Sequence, residues 1–192
     1  MRPCFLSLFS YTELLTMDEP KEAGETAGTS GGAVIRPARE NDAQAILGLV
    51  LGLAEFEKLP PPDEAAQKRL IADAFGPRQR VEIFLAEVEG RVVGYAFVFE
   101  TYSTFLAQPT LYLEDLFVLP EYRGRKVGYA FMDYLAREAL RRDCGRMEWV
   151  VLDWNRHAID FYERLGAKHL DDWLIYRLDR VALEGWGSKD KA

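Results

Sequence analysis

Leu116-Phe117-Val118-Leu119-Pro120-Glu121-Tyr122-Arg123-Gly124-Arg125-Lys126-Val127-Gly128-Tyr129-Ala130 runs out of a β-rich stretch, through a basic loop containing glycine, into an amphipathic one. On its far side Phe131, Met132, Leu135, Ala136, Ala139 and Leu140 recur at helical spacing, which predicts a helix over Gly128 to Arg142. A β-rich run, Met147 to Leu152, follows, and on the near side Leu111 to Val118 has the length and composition of a strand. Two strands joined through a helix in this way are expected to lie parallel.

Outward from this unit the pattern turns antiparallel. Val81 to Val88 and Val92 to Phe99 are β-rich runs joined by Glu89-Gly90, a pair suited to a tight hairpin. Further upstream, Val34 and Ile35 read as a short strand. Asn41 or Asp42 can then cap a helix carrying Ile46, Leu49, Val50, Leu53 and Phe56 on one face. Pro60-Pro61-Pro62 stops that helix, and Asp63 or Glu64 opens a second one, through Ala74, that ends at Gly76-Pro77. Downstream, Ala158 to Leu165 reads as a short helix ended by Gly166, and Trp173 to Leu178 as a final strand. The fold class is therefore mixed α/β, a mostly antiparallel sheet with one parallel strand pair and flanking helices.

With 192 residues, 48% of them hydrophobic, the chain has enough apolar material for one well-buried domain, expected over residues 33–181. Residues 1–32 are expected to be a disordered extension, since Asp18 to Gly32 is mostly Glu, Gly, Thr, Ser and Ala, and 182–192 a tail. Cys4 to Phe9 is apolar but short, and Tyr-Thr-Glu follows it instead of a small-residue cleavage site, so it is not read as a secretory signal. A net charge of −7 argues against nucleic acid or anionic membrane as partner and suits a cationic small molecule. No stretch approaches the roughly 18 apolar residues of a membrane span. The two cysteines, Cys4 and Cys144, cannot build a disulfide framework or a cysteine zinc site, which makes a reducing, cytoplasmic setting the expectation. His157 and His169 lack metal-ligand spacing, and no metal is expected.

The chemistry concentrates in the quoted loop. Unpaired amides at a helix start, glycines at 124 and 128, and the charges of Arg123, Arg125 and Lys126 are the parts of a phosphate cradle, and a pyrophosphate would fit there. The loop lacks the Gly-Lys-Ser/Thr ending of a nucleotide-hydrolysing loop and the three-glycine dinucleotide fingerprint, so nucleotide hydrolysis and hydride transfer are disfavoured. A solvated turn that merely caps a helix is the alternative.

Arg125-Lys126-Val127-Gly128-Tyr129-Ala130 resembles the Arg-x-x-Gly-x-Gly/Ala motif with which the GNAT superfamily of N-acetyltransferases binds the pyrophosphate of acetyl-CoA. The segments 53–59, 112–118, 122–124, Trp154-Asn155 and Phe161-Tyr162-Glu163-Arg164-Leu165-Gly166-Ala167 are similar to the diamine branch, the spermidine/spermine and thialysine acetyltransferases. The likeness covers nearly all of Val34 to Leu178. It departs at Lys126, where these enzymes often have Gly, and at Pro60 to Pro62, beside the acceptor side.

The resemblance implies a GNAT-like sheet whose parallel pair splays apart to admit the pantetheine arm of acetyl-CoA, the acetyl donor. Leu116, Phe117 and Val118 would meet that arm through their backbone. Arg123, Gly124, Arg125, Lys126, Val127, Gly128, Tyr129 and Ala130 would hold the pyrophosphate, and Asn155, Arg156, His157, Ala158 and Tyr162 would complete the cofactor side. Glu114 is the first choice to take the amine proton, with Asp115 as alternate, because neighbours in a strand point to opposite faces. Tyr162 could protonate the departing sulfur, or could simply be core packing with a surface hydroxyl. Phe56, Glu57, Glu114, Asp115, Glu148, Trp149, Val150 and Trp154 are expected on the acceptor side, with a plain solvated face as the alternative for Glu55 and Glu57. The reading is an acetyl-CoA-dependent N-acetyltransferase of a small cationic primary amine, working through a ternary complex, and a homodimer as relatives commonly are. A GNAT acting on a peptide N-terminus or protein lysine, or a non-catalytic acyl-CoA sensor, are the alternatives.

Overall fold

The computed structural model describes residues 28–30 and 32–187. Two compact units divide at Trp149/Val150, and each is described by itself.

The first unit is a six-stranded sheet in sequence order. Its strands are β1 (Gly28–Ser30), β2 (Ala33–Pro37), β3 (Glu82–Val88), β4 (Arg91–Ser103), β5 (Gln108–Val118) and β6 (Arg146–Trp149). All neighbours run antiparallel except β5 and β6, which are parallel. β1 pairs with β2 inside the stretch expected to be disordered, and residues 1–27 lie outside the described residues. Glu89 and Gly90 both take positive φ, 51° and 77°, the conformation that lets a two-residue turn follow the twist of the strands it joins.

Helix α1 (Ala43–Glu57) and helix α2 (Glu64–Phe75) cover one face of the sheet. Lys58 ends α1 in the left-handed conformation, its N–H returning to the carbonyls of Ala54 and Glu55, and the three prolines forbid continuation. Asp63 caps α2, its carboxylate accepting from the Ala66 N–H at 2.7 Å. The core on this side joins Ile46 and Leu49 of α1 and Ala74 of α2 to Ile83, Leu85, Tyr95, Phe97 and Phe117 of the sheet. Helix α3 (Val127–Arg141) covers the other face with Val127, Ala130, Phe131, Met132, Leu135 and Ala139 buried, and its Tyr134 ring meets Phe84 of β3 at 5.1 Å.

A β-bulge in β5 decides what this strand presents. Phe97 opposes Asp115 while the next residue, Val98, opposes Leu113, so Glu114 is an extra residue. Phe97 and Val98 point to opposite faces, and so therefore do Leu113 and Asp115, which strict alternation would put together. Asp115 shares the face of Phe97 and Phe117, under α1 and α2. The slip leaves Asp115 on that face and Glu114 as the extra, exposed residue. The parallel ladder with β6 runs from Thr110↔Arg146 to Leu113↔Trp149, ending where the bulge begins, while β5 continues to Val118. The ladder end also sets β6 at Arg146–Trp149, shorter than the expected Met147 to Leu152.

The second unit contains helix α4 (Arg156–Arg164) and helix α5 (Arg180–Gly187), the latter overlapping the expected tail. Gly166, at φ 87°, ends α4, as its position after the apolar run predicts. Trp173 to Leu178 forms neither strand nor helix, which corrects the expected final strand. Aromatic and β-branched residues favour strands when a half-buried pleated surface receives them. Here Trp173, Ile175 and Tyr176 are exposed.

Candidate active site

The loop after β5 makes a turn at Pro120–Tyr122, takes positive φ at Gly124 (75°) and again at Lys126 (63°), and enters α3. Lys126 thus occupies, as a non-glycine residue, the backbone region that favours glycine, the residue the family resemblance would place there. No side chain caps α3. The first amides of a helix have no intrahelical acceptor, so they face the loop mouth with the positive end of the helix dipole. A Cβ at Gly124 would meet nothing within 4 Å. Arg125 and Lys126 are exposed, and the Arg125 guanidinium lies 5.1 Å from the centre of the Tyr122 ring. Val127 and Ala130 point into the core, so only their backbone can serve a ligand, whereas Tyr129 is exposed and Gly128 half-buried. This donor set, an open helix start with exposed cations and a glycine turn, fits a pyrophosphate.

Arg123, expected beside the pyrophosphate, packs against the end of α1. Its guanidinium is stacked 4.6 Å from the centre of the Phe56 ring and 5.5 Å from that of Phe117, and its Nε donates to the Val118 carbonyl at 3.0 Å. Arg123 therefore clamps the loop to the end of α1, and the Val118 carbonyl expected to meet pantetheine already accepts one hydrogen bond. Gly52, one turn before Phe56, lets the Phe117 ring approach: a Cβ there would stand 3.1 Å from it. Leu116, on the opposite face from Phe117, is half-buried.

Beside this clamp lies a concentration of negative charge. Burial, reinforced by the charges of Glu114 and then Glu57, pushes the Asp115 carboxyl up to about 6. Burial also raises Glu57, at the last position of α1. Glu114 itself is exposed. Among the described residues none of the three has a cation within ion-pair distance. Glu148 differs, because the Nε of Arg146 holds it at 2.9 Å, which offsets the negative charge expected of it. Trp149 closes the ladder opposite Leu113.

In the second unit, the Asn155 side chain caps α4, its Oδ1 accepting from the Ala158 N–H at 3.2 Å. Of the Asn155 amide, then, it is the NH₂ group that is left to serve a ligand. Arg156 reaches toward Asp160 at 3.8 Å. Val150 and Trp154 are exposed, and His157 is exposed in the first turn of α4. Tyr162 packs beside Phe161 with ring centres 5.3 Å apart, and burial pushes its phenol up to about 12. It therefore keeps its proton throughout the neutral range. Sequence reasoning missed Tyr95, whose ring is fully buried at the Phe97–Phe117 contact. Its only signal was an aromatic residue alternating with Phe97 on β4.

Residues 38–167 match the family described as Acetyltransferase (GNAT) family. The thialysine N-epsilon-acetyltransferase of Mus musculus is 36% identical over 160 residues, covering 78% of this chain and 94% of the relative. A spermidine/spermine N(1)-acetyltransferase-like protein 1 of Homo sapiens is 30% identical over 78% of this chain, and the match takes in 23% of that longer protein. Among solved structures, an integron cassette protein from the mobile metagenome of V. cholerae superposes with a TM-score of 0.71 at 21% identity, covering 82% of this chain and 99% of that one. The likeness of sequence extends well past the loop and the likeness of fold runs through nearly the whole of the neighbour, so the chain belongs to the GNAT family of acetyltransferases.

Proposed function

We propose that this enzyme transfers an acetyl group from acetyl-CoA directly to a primary amine of a small cationic acceptor, a diamine, a polyamine or a thialysine- or lysine-like amino acid. The observation that carries the acceptor class is the acid cluster at the β5 bulge. Glu57, Glu114 and Asp115 lie together, two of them raised by burial, and among the described residues no cation pairs with any of them. An ammonium-bearing ligand supplies the missing positive charge. The named activity of the thialysine relatives agrees with that class.

Acetyl-CoA supplies an activated thioester. The uncapped start of α3, with Gly124, Arg125 and Lys126, would hold its pyrophosphate, with Gly128 in the first helical turn; backbone groups of Leu116, Phe117 and Val118, and the amide of Asn155, would line its arm. Asp115 suits the role of proton acceptor better than Glu114. A carboxyl titrating near 6 is ionised at neutral pH yet more basic than an ordinary one, and it faces the α1 and α2 side with Phe56 and Glu57. Glu114 adds negative charge beside it. Tyr162 holds a proton on its phenol oxygen for the departing sulfur. At about 12 it is a weak acid, so its contribution is a hydrogen bond to developing negative charge more than full release. We also propose a homodimer, and, from the two cysteines, a reducing, cytoplasmic setting; sedimentation showing only monomer at micromolar concentration would remove the dimer.

The test is thiol release from acetyl-CoA with spermidine, putrescine, thialysine, lysine and short peptides, varying both substrates. Turnover on a diamine or thialysine with intersecting double-reciprocal lines is expected. Parallel lines would indicate a covalent acetyl-enzyme. Preference for peptides would move the acceptor to protein N-termini or lysines, and tight acetyl-CoA binding with no release would favour a sensor. Tyr162→Phe is expected to lower kcat at least tenfold while leaving acetyl-CoA affinity unchanged.

A further inference from the structure

Tyr95 carries a feature the site as described does not use. Its residue is 0% exposed, and its hydroxyl oxygen is buried without a hydrogen-bond partner. A buried hydroxyl left in that state is unfavourable, and such groups in proteins ordinarily have a use for the bond. The register shows where the use lies. Tyr95 opposes Phe117, and Phe97, two residues on, opposes Asp115. Tyr95 and Asp115 are thus diagonal neighbours on one face, a separation that an aromatic side chain spans. The ring is held by Phe97 at 5.0 Å, edge to face, and by Phe117 at 6.2 Å, so the hydroxyl oxygen is fixed in place, its hydrogen is free to rotate, and the short Asp115 side chain is the partner that can turn to meet it. The negative charges felt at that hydroxyl are those of Asp115, first, and Glu57.

We propose that Tyr95 is a positioning residue for Asp115: its buried hydroxyl donates to the Asp115 carboxylate when that group is ionised, holding it in the orientation that receives the acceptor's proton. The proposal deepens the preceding reading, and rests on it for the role of Asp115. An ionised carboxylate in this half-buried place needs a donor. The other charges around it do not supply one. Glu57 at the end of α1 and Glu114 on β5 are themselves acceptors. Arg123, from the loop, is turned onto Phe56, Phe117 and the Val118 carbonyl, and it is not among the charges that act on Asp115. On α2, Lys68 pairs with Glu64, and Asp73 with Arg80. Among the described residues, the Tyr95 hydroxyl is a buried donor on this face that has no partner, and protonation of Asp115 releases it.

Tyr95→Phe removes the hydroxyl and nothing else, and since that hydroxyl has no partner in this structure, the variant is expected to fold with an unchanged or raised melting temperature at pH about 5, where Asp115 is mostly neutral. The titration of Asp115 is read in the protein without substrate by carboxyl-carbon NMR on protein labelled at aspartate, with Asp115→Asn assigning the signal. Loss of the donor should move that titration up by about one pH unit. The acid limb of kcat/KM for a diamine should move with it, while the KM for acetyl-CoA stays where it was. An unmoved Asp115 titration overturns the proposal, as does a variant that loses stability equally at every pH with its profile in place, which is the mark of simple packing. Because the NMR titration needs no turnover, a shift there with no acetyl transfer in the wild type would leave the Tyr95 assignment standing and defeat the proposed reaction instead.

Discussion

Replacing Asp115 by asparagine should make the protein more stable and less active, and the size of the first effect follows from the site. Burial and the neighbouring carboxylates raise Asp115 from its ordinary 3.8 to about 6 in the folded state. Below about pH 3.8 the carboxyl is neutral whether the chain is folded or not, and it contributes nothing. Between 3.8 and about 6 the unfolded chain releases a proton that the folded chain retains, so stability falls as pH rises. Above about 6 the loss is complete. At about 1.36 kcal/mol per pH unit the gap amounts to about 3 kcal/mol. A donor from Tyr95 would recover about 1.4 of it, leaving between about 1.5 and 3 kcal/mol. Asparagine keeps the shape and never ionises. Urea unfolding of both proteins at several pH values from about 4 to 8 measures the difference, which should grow with pH and level off above about 7. Over the same range kcat of the variant should fall by about 10²–10⁴. If the two stability curves run parallel, Asp115 is not a destabilised acid and the reasoning from its burial is wrong.

Other outcomes test the neighbouring parts. Arg123→Ala takes away the stack on Phe56 and Phe117 and the bond to Val118; stability should drop by about 1–2 kcal/mol and KM should rise for acceptor and acetyl-CoA together, whereas a rise for acetyl-CoA alone would make Arg123 a plain phosphate ligand. Lys126→Gly relieves a left-handed backbone at φ 63° and should raise the urea midpoint by an amount worth about 1 kcal/mol, with acetyl-CoA affinity weakened only a few-fold; a lower midpoint would contradict the strain. Arg141 and Arg142 hold Glu138 down to about 2 from an ordinary 4.5, and Arg142 also joins Glu82. The stability this supplies is present above about pH 4.5 and fades as pH falls toward 2, so Arg142→Met should cost about 2 kcal/mol at pH 7 and far less near pH 3. Equal losses at both would assign the effect to packing of the arginine stem.

Much of this arrangement is legible in the sequence because it rests on local chemistry. Glu89-Gly90 specifies its turn, Asp63 its cap, and the run from Leu116 to Ala130 its strand, loop and helix. The bulge is not legible. Leu111, Leu113 and Phe117 share odd numbers and suggest one buried row, yet Phe117 packs with Tyr95 on the α1 and α2 side while Leu113 opposes Val98 on the other. No glycine marks the slip, and only the pairing partner reveals it. Arg123 shows the same limit: its charge is visible, but its turn toward Phe56 depends on where α1 ends in space. Trp173 to Leu178 misleads for a complementary reason, since composition reports what suits a strand and says nothing of whether a neighbour is there to pair with it.

The extra residue at Glu114 also gives β5 a point of slack. Elsewhere along the strand, losing one residue would turn every side chain between the cut and the nearer strand end onto the wrong face, exchanging apolar for polar positions in both cores. Losing Glu114 alone would not, because Leu113 and Asp115 already stand as consecutive residues of a regular strand stand, one to each face. A deletion of that single codon would straighten the strand and remove one charge while every remaining side chain kept its partner. In a lineage of such chains this is the position at which strand length can drift, and the acid that must stay put is the one beside it.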